Sequence, residues 1–348
     1  MRKNICLPAE WEPQSLVMLT WPHQATDWLP YLKDITETYV AMAEAITRYE
    51  GLVIATPHPI QVGALLGSRL TREQMTRVYL CHCKSDDTWA RDHGPITLVD
   101  RDTAKRTLLN FRFNGWGEKF EAANDNKITA TLHSDGAFAT ESDNEPRLAD
   151  NDDFVLEGGS IESDGKGTIF TTECCLMAPN RNQPLDKQEI EQELLFRLKA
   201  KRIVWLQHGS LIGDDTDGHI DTIVRIAPDD TILYHRCYNE QDEQYADFLA
   251  LEEELKALRT LDGKPYNLIP LPQPEAIYDD GDRLPATYAN FLIINGAVLV
   301  PTYAQPTNDD AACKAIQQAF PDREIIPIDS RTIVRQHGSI HCCTMQIP

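Results

Sequence analysis

No stretch of this 348-residue chain approaches the run of about 20 apolar residues that spans a bilayer, which argues against a membrane-embedded protein. The opening MRKNICLPAEWEPQ carries two basic residues but few apolar ones, and Pro8, Glu10 and Glu12 interrupt them. That is not a secretory leader, and it sets the expectation of a cytoplasmic protein. Basic residues are also scarce: 33 Lys and Arg stand against 54 Asp and Glu, for a formal charge of -21. Such a surface repels nucleic acid and anionic lipid, and it draws in small cations or basic peptides. Spaced CxxC pairs are missing as well. The nine cysteines are odd in number, and three pairs (Cys81/Cys83, Cys174/Cys175, Cys342/Cys343) lie too close together for a disulfide framework. Free thiols in a reducing compartment are expected.

What is present is an ordinary globular composition, 42% hydrophobic and 25% charged, with enough apolar mass for a sizeable core. Helical periodicity predicts helices over 34–50, 186–202, 242–259 and 307–320. The first carries Ile35, Tyr39, Met42, Ile46 and Tyr49 on one stripe, with Asp34 and Glu37 spaced as a capping box. The third is read from Tyr245, Phe248, Leu249, Leu255 and Leu258. A short β-branched run follows each, at 52–55, 203–206, 267–270 and 324–328. Further strands are read at 168–170, 222–226, 231–234 and 291–300, the last broken by a hairpin at Asn295-Gly296. The pattern recurs at roughly 60 to 70 residues, a repeat architecture. The segment 121–153, rich in Ala, Asp and Asn, reads as a surface excursion and not as a boundary, so one domain over 1–348 is expected.

The chemically loaded turns follow the same rhythm. Asp92 in WARDHGP, Glu157 in LEGGSI, His219 in DGHID, Asn290 in TYANF and Cys342 in SIHCC are separated by 65, 62, 71 and 52 residues. One polar side chain per module is what a closed ring with its site on the axis requires. In DGHID an extended backbone would put His219 and Asp221 on one face, where a buried carboxylate makes the imidazole a usable acid and base. A calcium loop fails there, because Gly213 and Val224 occupy the first and twelfth positions. In an extended tail Cys342 and Cys343 face opposite sides, so one can be a nucleophile and the other belongs to the core. Strict alternation would also separate Trp89 from Asp92, and both reach a pocket only if the backbone bends. Arg91 reads as a structural ion-pair partner, and Cys81-His82-Cys83 as sheet packing. Gly158 and Gly159 after Glu157 permit close approach to a ligand or mark an ordinary turn.

Taken together, LPAEWEPQSLVMLTWPH, WARDHGP, LEGGSI, TTECCL, TDGHID, TYANFLIINGAVLVPTY, FPDREIIPID and GSIHC resemble the agmatine deiminases, in the guanidino-group-modifying superfamily that includes bacterial peptidylarginine deiminases. The resemblance covers almost the whole chain. It implies an α/β pentein fold of five ββαβ-type modules around a pseudo-five-fold axis, and a cysteine hydrolase without cofactor or metal. By motif, Cys342 matches the nucleophile and His219 the general acid and base. Asp92, Glu157 and Asp221 match the acids around the guanidinium, and Asn290 a YxN position. Trp89 joins Asp92, Glu157, Asp221 and Asn290 as an expected substrate contact. The tail RQHGSIHCCTMQ departs from the glycine-rich stretch before NIHCITQQ in many members.

The implied reaction converts agmatine to N-carbamoylputrescine and ammonia through an amidino-cysteine. Its expected partner is a small cationic guanidine, with a homo-oligomer left open. Alternatives are a peptidylarginine or other guanidino deiminase, a metal-dependent amidohydrolase built on His219, Asp221, His337 and His341, and a polyamine-binding protein. Three carboxylates near the thiol should raise its pKa in the empty enzyme, and a bound cation should lower it again.

Overall fold

A computed structural model describes residues 4–140 and 142–348. Five mixed β-sheets carry the chain, and all five share one pattern: an antiparallel pair, then a parallel neighbour reached through a helix. Parallel pairing demands such a crossover, because the chain must return to the same end of the sheet. The crossover helices are Leu32–Thr47, Ile128–Ser134, Lys187–Arg197, Tyr245–Ala257 and Pro306–Ala319.

One sheet joins the two ends of the chain. Thr344–Ile347 pairs antiparallel with Leu16–Thr20, which continues in parallel to Gly51–Thr56 and Val78–His82. The next holds Ile96–Asp100, Lys105–Arg112 and Arg147–Val155, edged by Ile5–Cys6. The other three are Ile161–Ser163 to Arg202–Leu206, Val224–Ala227 to Asn267–Pro272, and Leu292–Ile294 to Glu324–Asp329. The Asn295-Gly296 hairpin forms as expected: Ile294 pairs with Ala297, and Gly296 takes φ +81°.

The apolar stripes face inward, with Ile35, Tyr39, Met42 and Ile46 on the first helix and Ile190 and Leu194 on the third fully buried. Removing each such side chain from water contributes about 1.5–3 kcal/mol. Leu249 is an exception; it is exposed, and Leu251 takes the core position beside Phe248 and Leu255. The first helix has no capping box. A 3-10 turn at Leu29–Tyr31 runs directly into it, and Glu37 instead pairs with Arg69 at 2.8 Å. A capping box forms instead at Asp186, with Glu189.

The segment 121–153 is no surface excursion. It supplies the crossover helix Ile128–Ser134 and most of the strand Arg147–Val155, and Ile128, Leu132 and Phe138 pack into the core; its alanines and short polar residues hid a module. Cys81 and Cys83 lie side by side in that core, Sγ to Sγ 3.7 Å, and all nine cysteines are free thiols. Among the described residues no helix is long and apolar enough to cross a membrane.

Each chemically loaded turn lies in the connection from the last strand of one sheet to the first strand of another. Asp92 follows Val78–His82, Glu157 follows Arg147–Val155, His219 follows Arg202–Leu206, Asn290 follows Asn267–Pro272, and Cys342 follows Glu324–Asp329. The repeat therefore places a loop, not a strand, at every site position.

Candidate active site

The backbone does bend at WARDHGP. Ala90–His93 forms one helical turn, so Trp89 and Asp92 fall three residues apart on one side, and both line the same cavity. Asp92 is buried; its Oδ1 accepts the Gly159 N–H at 3.0 Å and its Oδ2 the Trp116 indole N–H at 2.9 Å. A side chain at Gly159 would put its Cβ 2.6 Å from His219 Nδ1 and 3.0 Å from Asp92 Oδ1. Close packing of His219, Asp92 and Asp221 is what demands that glycine.

His219 and Asp221 do not sit on an extended strand. His219 precedes a 3-10 turn over Ile220–Thr222, and the turn carries Asp221 around to the buried side. His219 Nδ1 stands 3.7 Å from Asp92 Oδ1, and neither ring nitrogen has a hydrogen-bond partner among the described residues. Asp221 Oδ2 accepts the His341 Nδ1–H at 2.7 Å, while Oδ1 is buried without a partner. Buried polar atoms left unpaired are rare, and here they mark where a ligand's hydrogen-bonding groups belong.

The tail is likewise a turn and not a strand at the two cysteines. Cys343 N donates back to Ser339 O and Ile340 O, and strand pairing begins only at Thr344. Cys342 opens on the cavity; its Sγ is 3.3 Å from Asn290 Oδ1 and 3.9 Å from Asp221 Oδ2. Cys343 is fully buried, its thiol against Tyr39.

The cavity holds about 280 Å³ and is walled by Trp89, Trp116 and Phe120, with Cys342 and Asp92 reaching into it. Its lining also includes Asp27, Asp87 and Asp215. Burial, then Asp221 and Asp92, push the Cys342 thiol well above its ordinary range. Burial, helped by Asp221 and Glu157, raises Asp92 to about 6 against the pull of His219 and Trp116. Burial also opposes charge on His219, but Asp92, Cys175 and Glu157 outweigh it and hold the imidazole well above its usual pKa. Asp221 is depressed despite burial, because His341, His219 and Arg225 favour its anion.

Three expected substrate contacts, Glu157, Asp221 and Asn290, do not line the cavity, and Asp221 lies behind Cys342. Glu157 is fully buried against Arg181, Oε1 to Nε 3.1 Å, and does not line the cavity. Asn290 is occupied with Cys342: its Oδ1 accepts the Cys342 N–H at 3.2 Å, and its Nδ2 donates to Asp221 O. Arg91 pairs with Glu10 at 3.0 Å, as expected of a structural partner.

Among the described residues, the groups close enough to share a metal ion are Glu157, Cys175 and His219, and Glu10, Glu162 and His341. The set His219, Asp221, His337 and His341 is not one of them. Both ring nitrogens of His341 are already engaged, and Arg181 and Arg225 supply cations to the two clusters.

Residues 6–348 match the Porphyromonas-type peptidyl-arginine deiminase family. The chain belongs to that family. Among curated relatives, the agmatine deiminase of Pseudomonas fluorescens (strain SBW25) is 33% identical over 98% of this chain and 95% of that protein. An agmatine deiminase of C. jejuni, solved with substrate bound, superposes with a TM-score of 0.89 at 34% identity, covering 99% of this chain and 96% of that one. A Porphyromonas gingivalis structure, provisionally named an arginine deiminase, is 49% identical with a TM-score of 0.91, over 99% and 98% of the two chains.

Sequence reasoning missed two supports that this family member uses. Arg181 neutralises Glu157 from a stretch with no pattern of its own. Trp116 reaches Asp92 from four consecutive positive-φ residues, Gly115 to Glu118. A left-handed backbone costs a non-glycine residue roughly 1–2 kcal/mol, so strain is stored where Trp116 closes the cavity. The Gly-Trp-Gly spacing was the available signal, because a Cβ at Gly115 would lie 2.1 Å from Phe120 O.

Proposed function

We propose that the chain is an agmatine deiminase, hydrolysing a guanidinium to a ureido product and ammonia through a covalent amidino-cysteine. The observation that carries this is the convergence at one cavity. The Cys342 thiol opens on it beside Asp92, and Asp221 approaches the sulfur to 3.9 Å while keeping one oxygen bare. The likeness to agmatine deiminases over nearly the whole chain supports the same reading.

In this reading the five modules close around a pseudo-five-fold axis as one domain. The pairing of the last strand with the first sheet supports that closure. Asp92 and Asp221 accept guanidinium N–H groups and fix the central carbon for attack. The Cys342 thiolate adds to that carbon, with its proton released to solvent as the cation binds. The His219 imidazolium gives its proton to the departing nitrogen, ammonia leaves, and the amidino group stays on sulfur. His219, now neutral, takes a proton from water, whose oxygen adds to the amidino carbon. The C–S bond breaks and the thiolate is regenerated. Glu157 acts through His219 by favouring its charged form, Asn290 aligns the nucleophile, and Trp89 walls the substrate.

The distal group of the substrate selects between guanidines. Asp27, Asp87 and Asp215 line the cavity, and Arg335, its one lining guanidinium among the described residues, is already paired with Asp279 at 2.9 Å. That lining favours the ammonium of agmatine over the carboxylate of arginine. Ammonia release from agmatine, free arginine and an arginine peptide tests this. Agmatine is expected to be used with the highest kcat/KM, unaffected by a chelator. Preference for arginine or the peptide, or loss of activity on chelation, overturns the reading.

The raised thiol pKa gives a second expectation. A group above its ordinary pKa is protonated at neutral pH, so ligand-free protein at pH 7 should show no thiolate absorbance assignable to Cys342. Such absorbance should appear when an unreactive guanidinium compound fills the cavity. Full ionisation without ligand contradicts activation by the substrate cation.

A further inference from the structure

His341 directly precedes the nucleophile, and the reaction above gives it no task. It is fully buried, and each of its ring nitrogens meets a charged partner. Nδ1 is 2.7 Å from Asp221 Oδ2; Nε2 is 2.9 Å from Glu10 Oε1 and 3.1 Å from Arg225 Nη2. The Asp221 carboxylate only accepts, so Nδ1 carries a proton directed at it, while Nε2 sits between the Glu10 carboxylate, which accepts, and the Arg225 guanidinium, which donates. Arg225 cannot swing away. Its Nε is held by Glu162 at 2.6 Å, its Nη1 by Ala289 O at 3.1 Å and also by Phe291 O, and its Nη2 by Glu10. Arg91 clamps the other side of Glu10 at 3.0 Å, and its Nε donates to His341 O.

This network ends at one carboxylate oxygen. Asp221 Oδ2 accepts from the imidazole, with Cys342 Sγ 3.9 Å away, and Oδ1 is the buried acceptor without a partner among the described residues. We infer that His341, oriented by Arg225 and Glu10, is the positioning residue that locks Asp221 by one oxygen so that the other faces the substrate guanidinium. The arrangement parallels histidine ligands whose second nitrogen is fixed by a carboxylate, with roles reversed: here the histidine fixes the carboxylate. It also explains why a cationic rod beneath the site does not repel a cationic substrate. The charges of Arg91 and Arg225 are met by Glu10 and Glu162 before they reach the cavity, and only the His341 N–H contact continues upward.

The inference rests on the proposed deiminase reaction, and its test separates the two. In His341→Asn the new amide nitrogen can occupy the place of Nδ1. In His341→Gln the amide reaches instead toward the place of Nε2, and His341→Leu offers no donor. With agmatine, His341→Asn should keep kcat/KM within about tenfold of wild type. His341→Gln and His341→Leu should lose about 100-fold or more, mainly in kcat, as a misplaced catalytic group does. The acid limb of kcat/KM should also move to higher pH in the latter two. Asp221 is faced by His341, His219, Arg225, Asp92 and Cys342, and removing the His341 donor leaves burial opposed only by His219 and Arg225, which moves its titration to higher pH. Loss of stability alone would give equal defects in all three variants and no movement of that limb, which overturns the assignment. A second readout needs no turnover. The carboxyl carbon resonance of Asp221 in ligand-free protein, assigned with Asp221→Asn, should titrate at higher pH in His341→Gln than in wild type, and unchanged titration refutes the lock. Wild type that releases no ammonia from agmatine while passing this titration would sink the activity and leave the positioning role standing. Should His341→Gln or His341→Leu fail to fold, the other serves as the non-donor comparison with His341→Asn.

Discussion

Replacing Cys342 with serine is expected to lower ammonia release from agmatine by roughly 10⁴-fold or more, the scale seen when a covalent nucleophile is removed. Serine keeps the size and the hydrogen bond to Asn290, so the cavity should persist. Its hydroxyl ionises far less readily than a thiol, and the surrounding acids that already raise Cys342 would raise it further. Mass spectrometry of acid-quenched turnover should show an amidino adduct on wild type and none on Cys342→Ser. The adjacent thiol is the control. Cys343 packs in the core with Tyr39. Cys343→Ser should therefore leave activity within about tenfold while costing about 1–3 kcal/mol of stability for a buried hydroxyl. Serine at 342 retaining more than a few per cent of activity would remove the sulfur from the reaction.

His219→Gln should lower kcat by about 10² to 10⁴, the usual contribution of a positioned acid and base. The sign of its pH dependence follows from the charges around it. Asp92, Cys175 and Glu157 outweigh burial and hold the imidazole above its ordinary value, so the proton it must donate is present through neutral pH and is lost only as pH rises past that elevated pKa. Wild-type kcat should fall on the alkaline side, and His219→Gln should lack that limb. An alkaline limb unchanged in the variant would assign the proton to another group. Arg181 makes a useful contrast, since it balances Glu157 but does not touch His219 in any hydrogen bond among the described residues.

Much of the site was legible because its residues sit in turns with unusual local chemistry. The spacing of Asp92, Glu157, His219, Asn290 and Cys342 places one residue in each connection between sheets, and that regularity needs only the repeat of strand and helix signals. The local geometry of individual side chains is less legible. Strand alternation predicts a shared face for His219 and Asp221 and opposite faces for Cys342 and Cys343, yet both segments are turns. The residues still reach their places, because a turn of three residues can bring alternate positions together as readily as a pleat does. Glu157 and Asn290 were expected against substrate, and each is instead used by a neighbour, Arg181 and Cys342. Neither pairing leaves a mark in local sequence, since 24 and 52 residues separate the partners.

The amino-acid order by itself determined four of the five modules, the inward stripes of their helices, the excess of acid suited to a cation, and which thiol and imidazole are candidates for chemistry. These follow from periodicity, composition and short motifs, all of which act within a few residues. Only the tertiary structure decided which oxygen of Asp221 is bare, that Glu157 is neutralised by Arg181, that a left-handed turn delivers Trp116 to Asp92, and that Arg225 aims His341. Each depends on the mutual approach of buried charged groups from different sheets, where a low dielectric makes partner and distance govern protonation, and no local pattern encodes either.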